Sequence, residues 1–397
     1  MARLTFNCFI FITMKKILFF VASAIFLLAA CNNNDEVLTS LNHDNPQVPN
    51  EFAISNDEAK EVLNLFLSDG PTTRGDGKAT TVKDYRVRNV EITAGNDTEI
   101  VPVYEYATVN ESGDEGYAIV VGDRRIQKVL VQVDKGSLAD TIDIEPLRLY
   151  INSIPYIIKG DLIEYEKRIA NDAATTRAQN DFSVDMYGPY LNTQWTQNYP
   201  YNNSCPDQSC SSGQKTLTGC TALAIARLLA YHQKPAYMSW SAILQNPTLT
   251  SSSPAYVINQ VSSLIYYIGH NLLNATYSCN NTYVSETSFL NVPNVLSSYS
   301  LSSYGLEAFN KQIVIESIQQ ARPVFLSAKT SDGAWRNDWV CDGWKRHNYD
   351  TTYYDYLYMR WGYPYSEGFF YIDDSGMSFT VNGVTYSTNF RMIANIH

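Results

Sequence analysis

Apolar positions recur at helical spacing soon after residue 50. Ala59, Val62, Leu63, Phe66 and Leu67 form a stripe behind Ser55 and Glu58, a pair spaced as a capping box. Shorter β-branched and aromatic runs follow, predicting strands over 82–90, 101–109, 116–121 and 129–133, with turns at Gly113 and at Gly122-Asp123. A long helix is expected over 144–170, started or kinked by Pro155. Residues 171–181 then turn small and polar, as a linker open to proteolysis would. Beyond them the order changes. Helices are expected from Cys220 to the stop at Pro235, over 256–270 and over 307–320. Strands follow over 323–328, 339–344, 353–361 and 368–373. Both halves are therefore α+β: a small unit over 51–170 and a larger one over 182–397.

The first residues are of another kind. Met14-Lys15-Lys16 is a basic start, and the apolar run 17–30 is short for a membrane span. It ends in Leu28-Ala29-Ala30-Cys31 and gives way to Asn32-Asn33-Asn34-Asp35, the layout of a bacterial lipoprotein signal. On this reading residues 1–31 are the signal, Met14 is the true start, Cys31 carries the lipid and 32–50 form a tether. The chain is expected in a bacterial cell envelope, lipid-anchored or secreted, with the membrane as a partner through the anchor.

Composition narrows the function. Of 397 residues, 45% are hydrophobic and 17% charged, enough apolar material for real cores. The net charge is −11 and no basic tract stands out, so nucleic acid is not an expected partner. Export permits disulfides. Without Cys8 and the lipid-bearing Cys31, the cysteines are Cys205, Cys210, Cys220, Cys279 and Cys341, an odd set that leaves one thiol over. Cys205 and Cys210 are close enough in sequence for a local bridge. No pair has zinc-ligand spacing with suitable histidines, and no metal or other cofactor is expected.

The candidate chemistry centres on Thr218-Gly219-Cys220-Thr221-Ala222. Ala222, Ala224, Ile225, Ala226, Leu228, Leu229 and Ala230 leave the following helix almost without a polar face, so it is buried. A thiol in its first turn sits where free N–H groups and the helix dipole favour thiolate, as a nucleophile requires. A small buried hydrophobe is the other role open to such a cysteine.

Further pieces lie around this helix. Trp195-Thr196-Gln197 and Pro200-Tyr201-Asn202 precede it, Trp339 to Trp344 encloses Asp342-Gly343, and Trp361-Gly362 and Gly368-Phe369-Phe370 follow. Together with Tyr231-His232, Pro235 and the segment Tyr104–Gly136, they resemble the streptopain-like cysteine peptidases. The resemblance implies a papain-like peptidase domain behind an N-terminal propeptide that covers the cleft. It implies Cys220 as nucleophile, Gln197 as oxyanion donor and Trp361 packed over the site. Its partners would be a peptide or protein substrate and the chain's own propeptide.

The chain departs from that pattern at the proton-transfer groups. The family's histidine stands five residues before the Asp-Gly aspartate, and that position is Asn337. The asparagine that orients the imidazole is replaced by Arg360, and the Gly-rich turn after Trp-Gly by Tyr363-Pro364-Tyr365. An amide neither takes the thiol proton nor returns one to a leaving amine at neutral pH. Asp338 is expected to leave the opposite face of its strand from Asn337. Arg360 is expected to stabilise a Cys220 thiolate. Two functions stay open: a zymogen-type cysteine peptidase of reduced activity, and a non-catalytic homologue that binds peptides or a partner through the old cleft.

Overall fold

The computed structural model describes residues 51–68, 80–94, 97–141, 145–171, 182–208, 210, 215–279, 282–329, 336–349, 352–363, 366–373, 379–381, 384–386 and 390–397. The signal and tether (1–50), the loop at 70–77, the linker at 172–181 and Pro364-Tyr365 lie outside them.

The capping box opens the first helix, α1 (Asn56–Ser68): Ser55 N–H donates to the Glu58 carboxylate at 2.7 Å, and Glu58 N–H donates to the Ser55 hydroxyl at 3.3 Å. Four strands follow, β1 (Thr81–Ala94), β2 (Asp97–Val109), β3 (Glu115–Val121) and β4 (Val129–Val133). They pair in sequence as an antiparallel meander. Helix α2 (Glu145–Asn171) contains Pro155 and does not start at it. Leu147, Tyr150, Ile154, Ile158 and Leu162 bury one face of it on the sheet, and that packing holds the helix where the proline withholds its own N–H.

After β5 (Phe182–Tyr187) come α3 (Cys220–Tyr231), α4 (Ala255–Tyr267) with a π-helical turn over Ile268–Leu272, and β6 (Glu307–Ala308). Helix α5 (Lys311–Gln319) is next, and it is shorter than the 307–320 expected from sequence. Asn310 sets its start, its side chain accepting from Ile313 N–H at 3.2 Å, while Glu307 and Ala308 pair as a strand. The last strands are β7 (Val324–Lys329), β8 (Arg336–Tyr349), β9 (Thr352–Arg360), β10 (Gly368–Tyr371), β11 (Phe379–Val381), β12 (Val384–Tyr386) and β13 (Arg391–Ile393).

One antiparallel sheet of eleven strands gathers nearly all of these, in the order β1-β2-β3-β4-β10-β9-β8-β7-β13-β6, with β5 beside β8. The arrangement is α+β with a large antiparallel sheet. The N-terminal and C-terminal strands meet where β10 pairs with β4, Gly368 opposite Val133 and Phe370 opposite Val131. Residues 46–397 thus make one compact unit across the linker.

Helices cover both faces of this sheet. Helices α2 and α5 pack on one face, over Val131, Leu326, Trp339, Cys341, Met359 and Phe370. On the other face, α1 covers Tyr106, Val120 and Phe369, while α3 and α4 cover Phe325, Val340 and Ile393. Along β8, Val340 therefore faces α3, while Trp339 and Cys341 face away from it.

Candidate functional site

Cys220 is the first residue of α3, and a tight loop delivers it there. Gly219 takes φ 88°, a left-handed conformation that only glycine adopts freely, and a Cβ on it would stand 3.0 Å from Thr282 Cγ2. Thr282 Oγ1 donates to Leu217 O at 2.6 Å, and Thr218 N–H donates to Gln197 O at 3.2 Å. These bonds tie the oxyanion candidate and the thiol to one loop. The Cys210–Cys279 disulfide links the two segments flanking that loop, spanning 69 residues. The local Cys205–Cys210 bridge that their spacing allows is not formed: Cys205, Cys220 and Cys341 are free. Folding brings Cys210 and Cys279 to a Cα separation of 5.5 Å, which sequence proximity does not reveal.

The thiol is not the activated group that its place on the helix suggested. Residue 220 keeps some exposed surface, yet burial pushes the thiol up to about 12. The Asp338 carboxylate acts in the same direction, outweighing the Asp338 backbone N–H, the Arg336 guanidinium and the Thr221 hydroxyl. A thiol at about 12 is almost wholly protonated at neutral pH.

Asp338 is the group that sequence reasoning overlooked as a neighbour. Its carboxylate is buried and accepts from Thr221 Oγ1 at 2.5 Å. It stands 3.9 Å from Arg336 Nε, itself paired with Glu286 at 3.0 Å. Asp338 thus shares the α3 side of β8 with Val340. Burial holds its carboxyl above the usual carboxylate range, with Arg336, Ser327 and Thr221 pulling the other way. Asn337, beside it, is half-buried; its Nδ2 is enclosed and has no hydrogen-bond partner among the described residues.

Arg360 is spent elsewhere. Its Nε donates to Asp342 Oδ1 at 2.8 Å, Nη1 pairs with Glu367 and Nη2 bonds Leu191 O. Glu367 is shared with Arg227 of α3, at 2.6 Å, and Arg227 also donates to Thr193 O at 2.6 Å. Asp342 accepts from Leu191 N–H at 2.6 Å. Two guanidiniums and two carboxylates therefore weld α3, β8, β9 and the segment before Gln197. The expected Arg360–thiolate contact is not made, because buried carboxylates satisfy this cation first. Trp361 is fully buried, its ring 4.5 Å from that of Trp339 and 5.4 Å from that of Phe370, in the core under α2.

No histidine among the described residues serves the thiol. His232 caps the far end of α3 against Tyr231, and His270 stacks on Tyr266 at 5.0 Å. His347 packs on Phe66 and Tyr356, at 4.8 and 5.5 Å, and His397 Nδ1 bonds Asn395 O. His43 lies outside the described residues. Tyr363 also acts here: burial raises its phenol to about 12, the Cys220 thiol adding to the rise and the Gln197 side chain opposing it. Sequence comparison marked the turn it belongs to as a departure but gave the residue no role.

No curated protein matches the chain significantly. Residues 195–238, which carry Gln197, Cys220 and the whole of α3, match the model of the Peptidase C10 family, and that match supports a streptopain-like cysteine peptidase family for the chain.

Proposed function

We propose that this chain is an exported, lipid-anchored relative of the streptopain-like peptidases that has lost peptide-bond hydrolysis and uses its old cleft to hold polypeptide. In this reading residues 51–170 are a retained propeptide and 182–397 a papain-like peptidase domain, and the protein works at the surface of a bacterial cell. The carrying observation is the pairing of Cys220 with Asp338 in place of an imidazole. An imidazolium beside a sulfur lowers the cost of thiolate; a carboxylate raises it, and burial here adds to the rise. The other group that acts on the sulfur, the Tyr363 phenol, is likewise a hydrogen-bonding group and no base at neutral pH. The signal and tether readings rest on residues 14–50, and the propeptide reading on the resemblance of Tyr104–Gly136.

The test is hydrolysis of casein by the full chain and by the chain cut within 172–181, each beside Cys220→Ser. The expected result is no difference between cysteine and serine forms. Hydrolysis that Cys220→Ser abolishes overturns the proposal. Should Asp338→Asn abolish it too, the carboxylate is the base that replaces histidine.

A further inference from the structure

Three cations converge at the end of the sheet that adjoins Cys220. Strands β8, β7 and β13 lie side by side, and their register sets the side chains in rows. Val340, Phe325 and Ile393 form one row, packed under α3. A step of two residues along each strand gives the next row on the same face: Asp338, Ser327 and Arg391. One row further stand Arg336 and Lys329, opposite each other. Asp338 accepts from Thr221 Oγ1 at 2.5 Å, under the first turn of α3, and lies 3.9 Å from Arg336 Nε. The cations therefore border the end of the helix that carries Cys220.

A second segment reaches the same place. Thr282 packs against Gly219, the residue before Cys220, and Val284 O accepts from Arg336 Nη2. Glu286 then opens a helical turn over Glu286–Phe289, and the Phe289 ring lies 4.2 Å from the Arg336 guanidinium. Four residues at ~3.3 Å each keep Glu286 within roughly 13 Å of Thr282. Its Oε2 stands 3.0 Å from Arg336 Nη1 and 3.6 Å from Lys329 Nζ, and its Oε1 stands 3.8 Å from Arg391 Nη1. Of these three, the first alone is a hydrogen-bond distance. Among the described residues, the carboxylates paired with these cations are Glu286 and Asp338, and Asp338 is sealed beneath α3. The side chains of Lys329, Arg391 and Glu286 are 34%, 36% and 47% exposed. Ion pairs that open to water are worth little, so Glu286 yields its place at small cost.

We propose that Lys329 and Arg391, with Arg336 behind them, form a subsite for an acidic side chain of a polypeptide held at Cys220, and that Glu286 keeps the subsite filled until one arrives. The proposal rests on reading the cleft as a polypeptide-holding site. Its ligand class runs against the rest of the chain, whose net charge of −11 repels acidic peptides in general. An extended peptide rising ~3.3 Å per residue places the acidic side chain within about four residues of the group at the sulfur.

The test is protection of Cys220 from iodoacetamide in the full chain by two blocked peptides. One repeats alanine, alanine, serine and glutamate; the other has glutamine for glutamate. The repeat offers its fourth side chain on either side of the sulfur. Labelling is read by mass spectrometry of the digest, in which buried Cys205 and Cys341 report whether the fold has opened. The glutamate peptide is expected to half-protect at about one-fifth the concentration of the glutamine peptide, the surplus of a charged over a neutral hydrogen bond. Glu286→Gln, which removes the resident carboxylate, is expected to widen that ratio several-fold. Lys329→Met with Arg391→Met is expected to bring it to one or below. Equal protection by the two peptides, in both the unaltered chain and Glu286→Gln, overturns the proposal while polypeptide binding stands. A preference that survives the double substitution, with Cys205 and Cys341 still protected, overturns it as well. Where the double substitution exposes them, widening of the ratio in Glu286→Gln decides alone. No protection by either peptide removes the polypeptide-holding reading itself, and this proposal with it.

Discussion

Replacing Asp338 by asparagine isolates the charge that sets this thiol apart. The substitution preserves shape, and an asparagine oxygen still accepts from Thr221, so the α3–β8 contact survives. What disappears is the negative charge beside the sulfur. Burial and that carboxylate together carry the thiol from an ordinary 9.0 to about 12. At pH 8 an ordinary thiol is roughly one-tenth thiolate, and one at about 12 roughly one part in ten thousand. Burial is the larger cause. Unit charges a few ångströms apart exchange on the order of 4 kcal/mol at an effective dielectric of ~20, and a third of that, ~1.4 kcal/mol, is already tenfold in thiolate. Asp338→Asn should therefore speed alkylation of Cys220 by iodoacetamide about tenfold at any pH from 7 to 10. In both proteins the rate should keep climbing about tenfold per pH unit with no plateau below pH 10. The assay is stopped-time labelling with quantification of the Cys220 peptide. A plateau below pH 7 in the unaltered chain, or slower labelling in Asp338→Asn, would refute the reasoning, since either requires a cation and not a carboxylate to govern the sulfur.

Arg360→Met should destabilise the fold by roughly 3–5 kcal/mol in urea unfolding, because it strands the fully buried Asp342; a loss under 1 kcal/mol would mean that the Arg360–Glu367–Arg227 network is not holding these segments. His347, buried against Phe66 and Tyr356, is lowered to about 3 from an ordinary 6.5, by burial first and then by Lys345. A histidine that resists protonation when folded contributes stability that is complete above the unfolded value and is lost as pH falls toward the folded one. Stability should thus drop by about 2 kcal/mol between pH 6.5 and pH 5, and His347→Phe should remove that drop from the urea midpoints. Removing the Cys210–Cys279 bridge by a double serine substitution frees a 69-residue separation and should cost about 4 kcal/mol on a chain-entropy estimate. An unaltered urea midpoint in the double variant would show that the unfolded chain gains no freedom from the cut.

Much of this molecule was legible in one dimension. The Ser55/Glu58 box, the stripe from Ala59 to Leu67 and the four strands of the N-terminal unit each carry a local signal, and each element forms close to where the pattern puts it. The apolar run after Cys220 likewise specifies a buried helix, and Gly219 marks the turn that starts it. Those features depend on neighbours within a few residues, and spacing alone declares them.

The site was decided by contacts between segments far apart in the chain. Strand β8 is buried on both faces, so Trp339-Val340-Cys341 reads as unbroken apolar sequence and gives no sign of which side meets α3. Asp338 could be placed beside Thr221, 117 residues away, only once the helix lay on the sheet. The same holds for Arg360, whose partners Asp342, Glu367 and Leu191 come from three separate segments, and for Cys279, whose partner is not the nearer cysteine. A helix dipole and a first-turn cysteine are properties of the sequence; the proton affinity of that cysteine belongs to the charges and the burial that the packed fold brings around it.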